Sequence, residues 1–283
     1  HRLLPVAAVA ALLLAACSSD QTTEPAAPTE PVGSVSISTT EPAQLLLPAM
    51  AAESGAGDAV DAMWTGLVDY DPVTAQPRLA HAESIETRDN RVWRVTLKPG
   101  WTFHDGTPVT AASYVDAWNW AAACQNKATN QSFFGPSGAD IAGYEQTAGS
   151  VTASGDISCP DQPVPLTGLT ATGELTFSIT LARPVAILES MLGYWAFSPM
   201  PQSFFKDPEV FAAKPVGNGP FQFASRTPGT DIRMRAATGY QGADRPQVED
   251  IEWRVYADLD KAYDDLRAAR LDILTRMPTD VLE

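Results

Sequence analysis

Residues 92 to 119, VWRVTLKPGWTFHDGTPVTAASYVDAWN, constrain the fold most, because period-two alternation gives way there to a turn and then to a helical pattern. Val92, Arg94 and Thr96 alternate with Trp93, Val95 and Leu97, the pattern of a half-buried strand. Pro99-Gly100 turns the chain, and Asp105-Gly106 is a pair favoured in tight reversals. Thr110 then stands before AASYVDAW, where its hydroxyl can serve the free amides of a helix running to about Cys124, with Tyr114, Val115, Trp118 and Ala121 inward. This stretch is scaffold and carries no chemistry of its own.

The rest of the chain alternates strands and helices. SVSIST (34–39) predicts a first strand, closed off by Pro42, and 57–67 a short helix ending near Gly66. Val68–Tyr70 reads as a short strand, and 78–98 as a hairpin reversing at Asp89-Asn90. Residues 125–165 are rich in Gly, Ser, Asp and Pro and predict a long decorated loop. Leu175, Phe177, Ile179 and Leu181 share one strand face, and 186–191 suit a helix after Pro184. PVGNGPFQFASR (215–226) is a Gly-rich turn entering a strand that IRMRAA extends into a sheet; IEWRVY is a further strand. Asp258 or Asp260 caps the amphipathic helix DKAYDDLRAARLDI, and LDIL is expected as a last strand. No internal repeat is visible, and the succession predicts α/β or α+β.

The front of the chain bears on location. Arg2 precedes LLPVAAVAALLLAAC, an apolar stretch too short to span a bilayer, so residues 1–16 read as an export signal. Leu14-Ala15-Ala16-Cys17 resembles the bacterial lipobox, which makes Cys17 the expected lipidation site and implies anchoring to the outer face of the cytoplasmic membrane; a generic signal peptide with an incidental cysteine is the alternative. Residues 17–33, polar and Pro-rich, suit a flexible tether. In an exported, oxidising setting Cys124 and Cys159 are expected to form a disulfide, with two free buried thiols as the alternative. A formal charge of −15 with no basic run argues against nucleic acid as a partner. The chain lacks an initiator Met and its end, MPTDVLE, reads as cut in mid-fold, so a fragment of a longer protein is expected.

Four blocks after the lipobox, GLVDYDP (66–72), FHDGTPVTAASYVDAW (103–118), PVGNGPFQF (215–223) and IEWRVYAD with AYDDLRAARLDI (251–273), together resemble the extracytoplasmic solute-binding proteins of family 5, the dipeptide and oligopeptide receptors of bacterial ABC importers. The resemblance implies an α/β, two-lobed periplasmic-binding-protein-like fold of the class II (cluster C) type, of which mainly the first lobe and its inserted subdomain are present. It places the first part of lobe 1 at 34–60, the subdomain at 61–165, the continuation of the lobe at 166–275 and the start of a crossover to lobe 2 at 276–283. It implies capture of a short peptide by hinge closure and delivery to permease subunits driven by cytoplasmic ATPases, by a monomer without cofactor or metal.

By position in that family, Thr40 and Glu41 are candidates for lining the cleft, the alternative being a strand end closed by Pro42. Phe133 and Phe134 stand where relatives carry a Tyr-containing ligand segment, and Tyr194 and Trp195 fall at the cleft edge; packing is the alternative for all four. Asn218 and Gly219 sit in a turn near the cleft, where shaping the backbone competes with binding, and Trp64 reads as core.

Catalysis finds little support. His104 beside Asp105 lacks a G-x-S-x-G elbow, no H-x-x-x-H or C-x-x-C occurs, neither glycine-rich phosphate motif is present, and Asp264-Asp265 reads as a solvated helix face. Two other functions remain open: a surface-anchored sensor or interaction lipoprotein of the same fold, and an importer receptor for a sugar or a metal chelate.

Overall fold

The computed structural model describes residues 30 to 281. The export signal at 1–16, Cys17 and most of the tether lie outside the described residues. At its end Val32 donates its backbone N–H to the carbonyl of Gln247 (3.1 Å).

In chain order the elements are β1 (Ser34–Thr39), α1 (Ser54–Met63), β2 (Val68–Tyr70), β3 (Pro77–Leu79), β4 (Ala82–Thr87), β5 (Val92–Leu97) and α2 (Ala111–Ala122). There follow α3 (Tyr144–Ala148), β6 (Ser150–Val151), β7 (Ile157–Ser158), β8 (Leu169–Ala171), β9 (Thr176–Thr180), α4 (Leu188–Met191), α5 (Pro208–Ala213), β10 (Phe221–Thr227), β11 (Asp231–Ala236), β12 (Asp250–Val255) and α6 (Leu259–Arg267). Among the described residues no helix is long and apolar enough to cross a membrane.

Two four-stranded sheets carry the fold. One has the order β1-β12-β11-β10, with β1 parallel to β12 and the other pairs antiparallel. Its inner face is laid down by alternation: Ile232, Met234, Ile251 and Trp253 are buried, while on the other face Arg233 pairs with Glu252 and Arg235 with Asp250. The second sheet, β4-β5-β9-β8, is antiparallel throughout. Its β8 and β9 lie beyond the expected subdomain boundary at 165, yet they pair into the sheet that contains β4 and β5.

In the stretch from 92 to 119, Trp93, Val95 and Leu97 are buried as the alternation predicts. Thr110 closes α2 in a capping box, with Ser113 Oγ accepting from the Thr110 N–H at 3.1 Å. Tyr114, Trp118 and Ala121 are buried and Val115 is half-buried. Tyr114 and Trp118 pack on Phe177 of β9, which fixes α2 on the second sheet.

Three expectations shift. The first helix starts and stops three residues earlier than predicted, because Trp64 is already extended and Thr65 is held by Asn218. The segment 125–165 is not a bare loop: it holds α3, the small β6–β7 hairpin and a single turn at Gln131–Phe134. LDIL forms no strand and makes one parallel bridge, Ile273 to Ile37. Asp272 takes the place of further ladder bonds by accepting from both N–H and Oγ of Ser36 (2.8 and 2.7 Å). Cys124 and Cys159 are joined in a disulfide.

Candidate functional site

The end of α1 is the point on which the sequence motifs converge. Gly219 donates its N–H to the carbonyl of Met63 (2.8 Å), and a Cβ on Gly219 would lie 2.5 Å from the Met63 carbonyl carbon, so only glycine permits this approach. Buried Asn218 staples Thr65 from both sides, accepting from its N–H (3.1 Å) and donating to its carbonyl (2.9 Å). His104 closes the arrangement: its N–H donates to the Gly217 carbonyl (2.8 Å) and its Nε2 donates to the Gly219 carbonyl (2.9 Å). Burial holds the His104 imidazole below its usual pKa, hence neutral, and the ring braces two turns. Asn218 is committed to backbone, the shaping role rather than a ligand contact. Beside it lies a cavity of about 210 Å³ lined by Trp101, His104, Gln222 and Tyr240.

The residues expected at the cleft separate into three sets. Thr40 is exposed. Glu41 is engaged within the chain, accepting from Arg226 (2.5 Å) and from the N–H of Gly229 (2.7 Å). Burial pushes its pKa up, but those donors outweigh it and hold the carboxylate below its usual value. Phe134 is fully buried between Trp118 and Phe197. This corrects the expectation of a ligand wall there: the ring fills the core over α2 and presents no surface. Phe133, Tyr194 and Trp195 are half-buried and do come together, with ring centroids 4.4 Å apart for Phe133 and Tyr194 and 4.3 Å for Tyr194 and Trp195.

That aromatic row is held from beneath. The Trp195 indole N–H donates to the Ala51 carbonyl (2.8 Å), and its ring lies over Gly57 of α1, where a Cβ would come within 2.6 Å. Buried Asn130 donates to the carbonyls of Pro48 (2.9 Å) and Ala51 (2.8 Å), so the turn bearing Phe133 is tied to the same loop.

Next to the row opens a cavity of about 260 Å³ between α1, β2, the 193–198 turn and the β11–β12 loop. Aromatic side chains Tyr70, Tyr194, Trp195 and Tyr240 line it together with Asp61, Asp69 and Asp244. Tyr70 donates to the Ser190 carbonyl (2.5 Å), and Tyr240 lies 3.0 Å from the Thr65 hydroxyl. Arg78 pairs with Asp69 (2.7 Å) and with Asp244. Asp61 is an exposed residue of α1 at the edge of this cavity. Desolvation first, then the charges of Asp69 and Asp58, raises its pKa to about 6. Sequence reasoning missed Asp61, Tyr70 and Tyr240. The one available signal was that Asp61 stands three positions before Trp64, outside the apolar stripe of α1. No group of residues suited to holding a metal ion occurs among the described residues.

Residues 74–283 match the family model described as bacterial extracellular solute-binding proteins, family 5 Middle. The chain belongs to this family. It is 26% identical over 207 residues to the dipeptide-binding protein DppE of Bacillus subtilis (strain 168), which covers 72% of this chain and 35% of that protein. It is 30% identical over 164 residues to the periplasmic oligopeptide-binding protein OppA of Salmonella typhimurium (strain LT2), covering 56% of this chain and 28% of the relative. Among solved structures it superimposes on the murein tripeptide binding protein MppA of Escherichia coli with a TM-score of 0.77 at 20% identity, over 89% of this chain and 47% of that one. The family-5 chain therefore has an α/β periplasmic-binding-protein-like fold and spans less than half the length of the relatives it matches. An extracytoplasmic location is typical of the family.

Proposed function

We propose that this family-5 chain is the greater part of one lobe of a receptor that captures a short peptide outside the cytoplasm and hands it to an ABC permease, making and breaking no bond. The observation that carries the reading is the half-buried row of Phe133, Tyr194 and Trp195 on a rigidly braced backbone. Aromatic walls suit variable side chains, while exposed backbone suits the strand-like capture of a peptide main chain. The relatives named above are dipeptide-, oligopeptide- and murein tripeptide-binding proteins, which supports a peptide as the solute. In this reading residues 34–60 and the part of 166–275 that carries β10, β11 and β12 build the lobe, 61–165 together with β8 and β9 decorate it, 276–283 begin the crossover, and Cys17 carries a lipid that keeps the receptor at the membrane.

The test is calorimetry and solution scattering on the protein expressed from its complete reading frame, titrated with di- to pentapeptides. Saturable heat with a decrease in radius of gyration is expected, because a ligand that prefers the closed state shifts the population to it. Silence across the panel, with heat from a sugar or a metal chelate, would replace the peptide by that solute.

A further inference from the structure

Three cavities share one wall. The loop between β11 and β12, residues 237–249, borders the cavity at Asn218 (about 210 Å³), the cavity beside the aromatic row (about 260 Å³) and a smaller one of about 70 Å³ at Arg78 and Lys98. Among the described residues Tyr240 is the only one that lines all three, so its ring is the partition between the two larger cavities. The ring is seated on its own loop, where a Cβ on Gly242 would overlap it, and ring and loop therefore move together. The facing wall is rigid, built from the backbone bonds of His104, Asn218 and Gly219 described above. The loop is held differently. No backbone–backbone hydrogen bond joins residues 238–246 to the rest of the described chain. Three side chains hold it instead: the Tyr240 hydroxyl lies 3.0 Å from that of Thr65, Gln241 donates to the Gly100 carbonyl (2.7 Å), and Asp244 pairs with Arg78. Gln241 and Asp244 are exposed, so two of these ties compete directly with water. A segment held in this way opens at a small fraction of the cost of global unfolding.

We propose that residues 238–246 are a gate: lifting them withdraws the Tyr240 ring and joins the two larger cavities into one chamber that takes a bulky uncharged side chain of the bound peptide. The inference rests on the peptide reading above and deepens it by adding a gated subsite beside the aromatic row. Size calls for the gate. Pockets that enclose a ligand start at about 300 Å³; neither cavity reaches that alone, and joined they pass it. Chemistry selects the side chain. No aspartate, glutamate, lysine or arginine lines the cavity at Asn218, and buried Trp101 and Phe103 form part of its wall. A charged group entering there would lose its water without gaining a partner, whereas a tyrosine or tryptophan side chain meets apolar rings and the amide of Gln222.

The experiment uses the protein from its complete reading frame, tetra-alanine, and four tetrapeptides in which tryptophan replaces each alanine in turn. Stopped-flow fluorescence gives both rate constants in the wild type, in Asp244→Asn and in Tyr240→Phe, which keeps the ring and drops its tie to Thr65. An exposed ion pair is worth at most about a fivefold shift in population, so each variant should raise the open fraction about threefold. For at least one tryptophan peptide, association and dissociation should then both quicken about threefold with Kd nearly unchanged, because the gate closes again over the ligand. Tetra-alanine, which needs no chamber, should keep its rates. In the wild type that same tryptophan peptide should slow amide hydrogen exchange across 238–246, and tetra-alanine should not. Unchanged rates in both variants, or faster dissociation alone, as the loss of an ordinary contact would give, overturn the gate and leave the peptide reading intact. If no peptide binds, the peptide reading falls and the gate falls with it.

Discussion

Tyr194 stacks on Phe133 at a centroid distance of 4.4 Å, joining the loop after α4 to a turn inside the segment that the Cys124–Cys159 disulfide closes. Neither ring is fully buried, so the pair presents a surface whose rigidity is supplied by both segments. If this surface receives ligand, Phe133→Ala and Tyr194→Ala should each weaken peptide binding about tenfold, and the double variant should cost less than the two losses combined. Calorimetry on all four combinations measures this; strict additivity would show that the stack does not act as a unit.

The disulfide should matter to stability more than to chemistry. Its two cysteines are 35 positions apart, and closing a loop of that length restricts the unfolded chain by about 3 to 4 kcal/mol on the loop-entropy account. A Cys124→Ser/Cys159→Ser variant should therefore melt well below the wild type under non-reducing conditions. Equal melting temperatures would mean that Asn130, bonded to three carbonyl groups of the 48–51 loop, already holds the segment.

Asn218→Ala should destabilise the protein by about 2 kcal/mol, because it strands both the N–H and the carbonyl of Thr65 in a buried place. Gly219→Ala should cost at least as much, its Cβ being driven into the Met63 carbonyl. Denaturant unfolding of the two variants gives the values directly, and a change under about 0.5 kcal/mol in both would refute the staple.

Stability should fall in acid for a definite reason. His81 is fully buried, stacked on Trp101, with the Tyr114 hydroxyl 2.7 Å from its Nδ1; burial lowers its pKa to about 3, from 6.5 when unfolded. The neutral ring thus contributes stability that is complete above pH 6.5 and lost as pH falls toward 3, to a total of about 5 kcal/mol. Asp61 acts in the opposite direction. Its pKa is raised in the fold, so ionisation above about pH 6 disfavours folding and protonation below it relieves the strain. Unfolding free energy measured from pH 8 to 3 should show a shallower acid decline in His81→Phe, and Asp61→Asn should be more stable than the wild type at pH 8 but not at pH 4.

Much of the fold was legible because its signals are local. Alternation in 92–97 and the capping residues before α2 each act within a few positions, and the strand and the helix follow from them. LDIL misled because its bonding depends on Asp272 finding Ser36, more than two hundred positions away. The site was less visible for the same reason. Phe133 and Phe134 are adjacent and alike in sequence, yet one faces a tyrosine and the other lies in the core, a choice made by packing on α2. Asp61 reads as an ordinary outward residue of an amphipathic helix until Tyr70, Tyr194 and Tyr240 are brought around it from three other elements.

Where the ligand lies is the central claim, and photo-crosslinking tests it most directly. A tetrapeptide carrying p-benzoylphenylalanine, irradiated with the protein from its complete reading frame and mapped by mass spectrometry, should label Phe133, Tyr194 or Trp195 and be displaced by unmodified peptide. Competable labelling confined to the neighbouring cavity at Trp101, His104 and Gln222, with none on the aromatic row, would contradict the account.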